Sequence, residues 1–183
     1  MQFETIETER LILRKLTQAV YDYIYQQYDT DELMNFLGLA SMNELVVEKT
    51  KYQQGLSMFN KDFLTFQLID KNTNKIIGWC GYHTWFKAHF RAEIGYHLLE
   101  DSYKRKGLMS EALKVILDYG FNEMGLNRVE ALIGPNNIAS LKLIAKMDFT
   151  KEGVLRSHYF VNDRLEDSII YALLKKEYEQ SQA

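Results

Sequence analysis

Two periods govern the apolar positions of this chain. From Ala92 to Leu98 they alternate: Ala92, Ile94, Tyr96 and Leu98 face one way, Glu93, Gly95 and His97 the other. That is the pattern of a half-buried strand. After Lys104-Arg105-Lys106-Gly107 the period lengthens. Leu108, Ala112, Val115, Ile116 and Tyr119 form one stripe, which predicts an amphipathic helix running to about Met124 and closed by Gly125 and Asn127. Helical spacing also runs from Thr17 to about Leu37, through Val20, Ile24, Leu33 and Phe36. It breaks near Tyr28 to Asp31 and ends on Gly38. A further helix is predicted from Asn43 to about Met58. Strands are predicted at Arg10 to Arg14, Thr65 to Ile69, Lys75 to Thr84, Arg128 to Ile133, Val154 to Phe160 and Asp167 to Leu174. Asp70-Lys71-Asn72-Thr73-Asn74 is rich in turn formers and makes the second and third of these a hairpin. Asn136 or Asn137 caps a short helix through about Met147. The order is strand, helices, antiparallel strands, helix, strand, helix, strand pair. It predicts a mixed α/β (α+β) domain around a central sheet.

The 183 residues hold no repeat or linker and one proline, Pro135, so residues 1–183 read as one domain. The formal net charge is −3. An acidic balance argues against a nucleic-acid partner, which needs a basic footprint. The single cysteine, Cys80, cannot form an internal disulfide and sits in the apolar run Ile76 to Cys80, where an inert buried thiol is expected. A reactive thiol would need a neighbour such as His83. The polar, acidic start lacks the features of a signal peptide, and no apolar run approaches the roughly 18 residues of a membrane span. A cytoplasmic protein without membrane contact is expected. His83, His89, His97 and His158 show no ligand spacing, so no metal is expected.

The chemistry concentrates where the alternating strand meets the strong helix, in Asp101-Ser102-Tyr103-Lys104-Arg105-Lys106-Gly107-Leu108-Met109-Ser110-Glu111-Ala112. A helix start presents unpaired N–H groups and partial positive charge. Gly107 permits close backbone approach, and three cations precede it. The segment reads either as a pyrophosphate cradle or as a solvated basic turn before a surface helix.

This segment resembles the pyrophosphate loop of the GCN5-related N-acetyltransferase (GNAT) superfamily, Gln/Arg-x-x-Gly-x-Gly/Ala, with Lys104 in the first position, Gly107 as the central glycine and Met109 in the last. The flanks resemble its RimJ/RimL branch of protein N-terminal acetyltransferases: Thr8 to Arg14 the opening strand, Ala92 to Leu98 the strand before the loop, Ser110 to Leu113 the helix start, and Leu126 to Val129 with Pro135 to Ser140 the next strand and its exit. Phe149 to Gly153 and Asp167 to Tyr171 resemble the closing strands. The resemblance implies a twisted, mixed, mostly antiparallel sheet flanked by helices, whose fourth and fifth strands splay apart. It implies acetyl-CoA as co-substrate, an amine as acceptor, and a homodimer. Tyr96, His97 and Leu98 would pair with the pantetheine arm. Lys104, Arg105, Lys106, Gly107, Leu108, Met109 and Ser110 would hold the pyrophosphate, with Asn137 beside the arm or capping its helix.

Acetyl transfer needs a neutral amine, a polarised thioester carbonyl and a stabilised thiolate. Glu93, beside the splay, is the candidate base; the plainer alternative is an exposed glutamate paired with Arg91 or a lysine. Many relatives protonate the thiolate with a tyrosine, but Ile144 holds that position here. The resemblance points to Ser140, whose plainer role is to satisfy backbone groups in a first helical turn. His158 and Tyr159 are further alternatives. A backbone N–H near Leu98 would polarise the carbonyl. The aromatics Trp79, Tyr82, Trp85, Phe86 and Phe90 pack in a core, line the acceptor site or mediate a contact. The acceptor is expected between Tyr28 to Met42 and Phe86 to Phe90. A protein N-terminus leads as acceptor. A small-molecule amine, a non-catalytic coenzyme-binding module and a nucleic-acid binder using Lys104 to Lys106 are the competing readings.

Overall fold

The computed structural model describes residues 1–56 and 61–182. Eight strands, β1 (Thr5–Glu7), β2 (Leu11–Leu16), β3 (Asp62–Asp70), β4 (Ile76–Phe86), β5 (Arg91–Leu98), β6 (Arg128–Ile133), β7 (Thr150–Val161) and β8 (Arg164–Leu174), form one sheet in the order β1-β2-β3-β4-β5-β6-β8-β7. Among the described residues six helices flank it: α1 (Gln18–Gln27), α2 (Thr30–Leu37), α3 (Met42–Gln53), α4 (Leu108–Asn122), α5 (Ile138–Lys146) and α6 (Lys175–Gln182). This is the expected mixed, mostly antiparallel architecture. β1 was not legible as a strand. Its three residues, Thr5, Ile6 and Glu7, become one by pairing with β2, from Thr5↔Arg14 to Glu7↔Ile12. The expected fourth and fifth strands are therefore β5 and β6.

Those two strands run parallel and pair only through Arg91↔Arg128, Ala92↔Val129 and Glu93↔Glu130. Beyond Glu93, β5 has lost its neighbour. Backbone groups from Ile94 to Leu98 on that edge face a wedge-shaped gap, and unpaired backbone groups require partners.

The pleat sends alternate residues to opposite faces. On one face Leu11, Leu13, Phe66, Leu68, Tyr82 and Ile94 pack beneath α4, whose Ala112, Leu113, Ile116 and Phe121 are buried against them. Each such side chain contributes about 1.5–3 kcal/mol on burial. The Tyr82 hydroxyl donates to Ile116 O at 2.8 Å and ties β4 to α4. Cys80 is buried in this core, as expected of an inert thiol. On the other face, α1 to α3 build a second cluster from Val20, Ile24, Leu33, Phe36 and Leu45. Buried Gln67 and half-buried Arg14 clamp it to the sheet, both donating to Phe36 O. Helix α2 carries an Asp29–Glu32 capping box and ends on Gly38 at φ +70°. Helix α3 stops at Gln53, short of the expected end, because Gly55 takes φ +91°; Met58 lies outside the described residues.

Candidate active site

The loop before α4 is held in an unusual backbone shape. Arg105 (φ +60°) and Gly107 (φ +79°) both adopt the left-handed region. Gly107 is the N-cap and offers no side chain, so the first-turn N–H groups of α4 stay open to a ligand. The loop is anchored from behind. Arg10 Nη1 donates to Lys106 O at 2.9 Å. Glu111 accepts from Thr8 Oγ1, from Arg10 N at 2.8 Å and from Arg10 Nε at 2.7 Å. Burial pushes the Glu111 carboxyl up, but the bonds from Thr8 and Arg10 outweigh it and hold it below its ordinary value.

A cleft of about 540 Å³ opens above this loop. β5 supplies Tyr96, His97 and Leu98; the loop and helix start supply Lys104, Arg105, Gly107, Leu108, Met109 and Ser110; α5 supplies Asn137 and Ser140. These expected residues share one wall-lined space although they come from three parts of the chain. Lys106 does not line it: its carbonyl is taken by Arg10. Lys104 pairs with Asp101 at 2.6 Å. Tyr103, Ala139, Lys142 and Leu143 line the cleft as well and were not anticipated. Helical spacing from Ala139 and Ser140 reaches Lys142 and Leu143 at i+3 and i+4, a signal that could have found these two.

Asn137 caps α5, its side-chain oxygen accepting from Ser140 N at 3.1 Å. The Ser140 side chain lies beside the Tyr96 phenol at the cleft wall. Burial raises that phenol to about 12, and Ser140 opposes the rise. Ile144, at the position where many relatives carry tyrosine, is fully buried.

Glu93 sits at the last β5–β6 pair, where the gap begins. Its side chain is 17% exposed, and His83 Nε2 lies 3.6 Å from Oε1. Burial, assisted by the Glu130 carboxylate, raises its carboxyl above the ordinary value against the opposing pull of His83, Lys61 and His158. The plainer alternative of a pairing with Arg91 fails, because Arg91 bonds Glu130 at 2.8 Å.

A second cleft, about 410 Å³, lies on the α1–α3 side of the sheet. Leu37 to Leu39, Tyr21, Glu44, Glu48, Phe63, Trp79 and His83 line it. The expected contribution from Phe86 to Phe90 is absent from this lining. Phe86 instead stacks under Arg91 at 4.2 Å, and the Phe90 carbonyl accepts from Asn127 N at 2.7 Å, fixing the entry to β6. The aromatic cluster is thus divided: Tyr82 is core, Trp79 lines the cleft and Phe90 is exposed.

The acetyltransferase (GNAT) domain family matches residues 10–150. The chain belongs to this family. It is similar to the N-acetyltransferase p20 of Bacillus licheniformis, at 35% identity over 96% of this chain and 98% of that protein. It is also similar to the crystal structure of ribosomal-protein-S5-alanine acetyltransferase from Vibrio fischeri, with a TM-score of 0.66 and 25% identity over 96% of this chain and 98% of that one. A spermidine N(1)-acetyltransferase of Escherichia coli is 28% identical over 91 residues, 50% of this chain and 48% of that protein. The chain is an acetyltransferase, and acetyl-CoA is the donor that its family uses. Among the described residues, no helix is long and apolar enough to cross a membrane.

Proposed function

We propose that this acetyltransferase acetylates the α-amine of a protein N-terminus, with acetyl-CoA in the 540 Å³ cleft and the amine entering from the 410 Å³ cleft. The observation that carries the reading is the position of Glu93. It stands at the root of the β5–β6 gap, beside His83, which lines the second cleft. A protein α-amine has a pKa near 8, so a substantial fraction is charged at neutral pH. Glu93, with its carboxyl raised by burial, is suited to take that proton directly or through one water.

The residues present fit the coenzyme. The uncapped α4 start, the two left-handed loop residues and the cations Lys104 and Arg105 suit a pyrophosphate. The free edge of β5 suits the amides of an extended arm. When bound, the coenzyme supplies a thioester as the activated acetyl group. A backbone N–H near Leu98 would polarise the thioester carbonyl, and the Ser140 hydroxyl, beside Tyr96, would hydrogen-bond the thioester sulfur. The Vibrio fischeri neighbour supports the choice of acceptor. A polyamine is the second reading, favoured by Glu44 and Glu48 at the acceptor cleft and by the spermidine-acetylating relative. The homodimer belongs to the same proposal. Phe160 (69% exposed) and Leu165 (64%) pair on the β7–β8 hairpin and offer apolar surface for it, which sedimentation would test.

The test is release of free thiol from acetyl-CoA, with a peptide bearing an N-terminal alanine and, in parallel, with spermidine. Faster turnover of the peptide is expected. Turnover of spermidine alone would transfer the assignment to the second reading.

A further inference from the structure

Two β-bulges approach Glu93 from opposite sides of the sheet gap. In β4–β5 the register passes from Tyr82↔Ile94 to Thr84↔Glu93, leaving His83 as the extra residue. In β7–β8 it passes from Leu155↔Ser168 to Tyr159↔Glu166, so Arg156, Ser157 and His158 stand opposite Asp167. Bulges re-aim side chains and concentrate beside active sites. Here His83 Nε2 comes within 3.6 Å of the Glu93 carboxylate, and His158 lies near enough to favour its charged form.

The two histidines are not equivalent. His158 Nδ1 is engaged with the Ser168 hydroxyl at 3.1 Å, and Ser168 is buried. His83 lies directly over β5. A Cβ on Gly95 would come within 2.7 Å of His83 Cδ2 and 3.1 Å of its Nε2, so the absence of a side chain at 95 makes room for the imidazole. The ring is 41% exposed, whereas Glu93 is 17% exposed. The ring also lines the acceptor-side cleft. The other groups facing Glu93 are Glu130, Lys61 and Tyr159. Glu130 is committed to Arg91 and Arg128.

A sheltered carboxylate that accepts a proton in each turnover must pass it on before the next. We propose that His83 is the proton relay of Glu93, taking the amine's proton from the carboxyl and releasing it to solvent through the acceptor cleft. This rests on the reading of Glu93 as base. The ammonium N–H bond breaks and Glu93 gains the O–H. That proton moves to His83 Nε2, forming the imidazolium, and then to water, so both groups return to their starting state. No electron is transferred. The 3.6 Å separation is longer than a direct hydrogen bond and is spanned by a small ring movement or one water. His83 is thus a positioning and relay residue acting through Glu93.

The test compares wild type, Glu93→Gln, His83→Gln and His83→Ala, with acetyl-CoA and whichever of the alanine peptide and spermidine turns over. His83→Gln should lower kcat about tenfold, short of the hundredfold or more that a direct base is worth, with KM for the amine little changed. The ascending limb of its pH profile should move to higher pH, because Glu93 loses the neighbouring imidazole that favours its charged form. Free imidazole should restore His83→Ala. A profile superimposable on wild type, with no imidazole effect while Glu93→Gln is inactive, would remove the relay and leave the base. Full activity in Glu93→Gln would remove both. Independently of any acceptor, a carbon-13 titration of the Glu93 carboxyl should show a higher midpoint in His83→Gln; an unchanged midpoint overturns the proposal.

Discussion

Ser140 and Tyr96 illustrate what a single side chain gains from its neighbours. A serine hydroxyl is a weak acid, and a phenol raised to about 12 by burial is weaker than usual. Each on its own is a poor proton source, but as a pair at the wall of the cleft proposed for the coenzyme they would offer a hydrogen bond to a departing sulfur. Ser140→Ala and Tyr96→Phe should each reduce kcat roughly tenfold or more while leaving acetyl-CoA affinity nearly unchanged; calorimetry together with thiol release measures both quantities. Glu93→Gln should cost more, about a hundredfold to ten-thousandfold in kcat, again with coenzyme binding retained. Equal loss of coenzyme binding would show that Glu93 shapes the cleft instead of serving the amine. Both candidate residues were legible in the sequence as types at family positions. The phenol beside Ser140 and the imidazole beside Glu93 were not, because each pair joins separate elements.

At the scale of elements, the start of α4 combines a free set of N–H groups with a rigid support. Gly107 has space for a Cβ, the nearest atom being Arg10 Nη2 at 3.5 Å, but its φ of +79° does not suit one. Gly107→Ala should therefore strain the loop by about 1–2 kcal/mol and weaken acetyl-CoA binding, while Gly107→Trp should abolish it by filling the cradle. Unaltered binding in the tryptophan variant would place the coenzyme elsewhere. The support is Glu111. Its carboxyl is held low in the folded protein, so its stabilisation is present above the ordinary carboxylate range and is lost as pH falls through the lowered value. Glu111→Gln should cost about 1–2 kcal/mol near pH 7, a figure held down by solvent screening of the partly exposed Arg10. The difference should shrink in acid, as urea unfolding at two pH values would show. The sequence displayed Gly107 and the opening motif through Arg10. It did not display that Arg10 and Thr8 exist to hold Glu111, a contact between the two ends of the coenzyme-binding half.

The whole molecule is organised around an incomplete seam. β5 is paired with β4 along its length but with β6 only from Arg91 to Glu93. Amide hydrogen exchange should show weaker protection from Ile94 to Leu98 than from Arg91 to Glu93. Acetyl-CoA should raise it in the first segment, because the arm supplies the missing partner. No change on binding would mean that the coenzyme does not use the strand edge. The α1–α3 layer has its own smaller cluster and should open at lower free energy than the α4 layer.

Periodicity fixed the elements that obey it, the alternating β5 and the striped α4, turn-forming residues fixed the hairpin at Asp70 to Asn74, and together they gave the order of helices and strands apart from β1 and α6. Local rules suffice there because each element's apolar face must be buried somewhere. The three residues of β1 and the precise ends of α3 escaped, since their state depends on a partner strand or on one glycine's backbone angle. The site divides in the same way. The loop's glycine and cations, and the candidate carboxylate, are written in consecutive residues. Tertiary structure decided which of them share a space, that Lys106 is excluded, and that two register shifts in the sheet carry histidines to Glu93. A register shift is a property of two paired strands, and no single strand's sequence contains it.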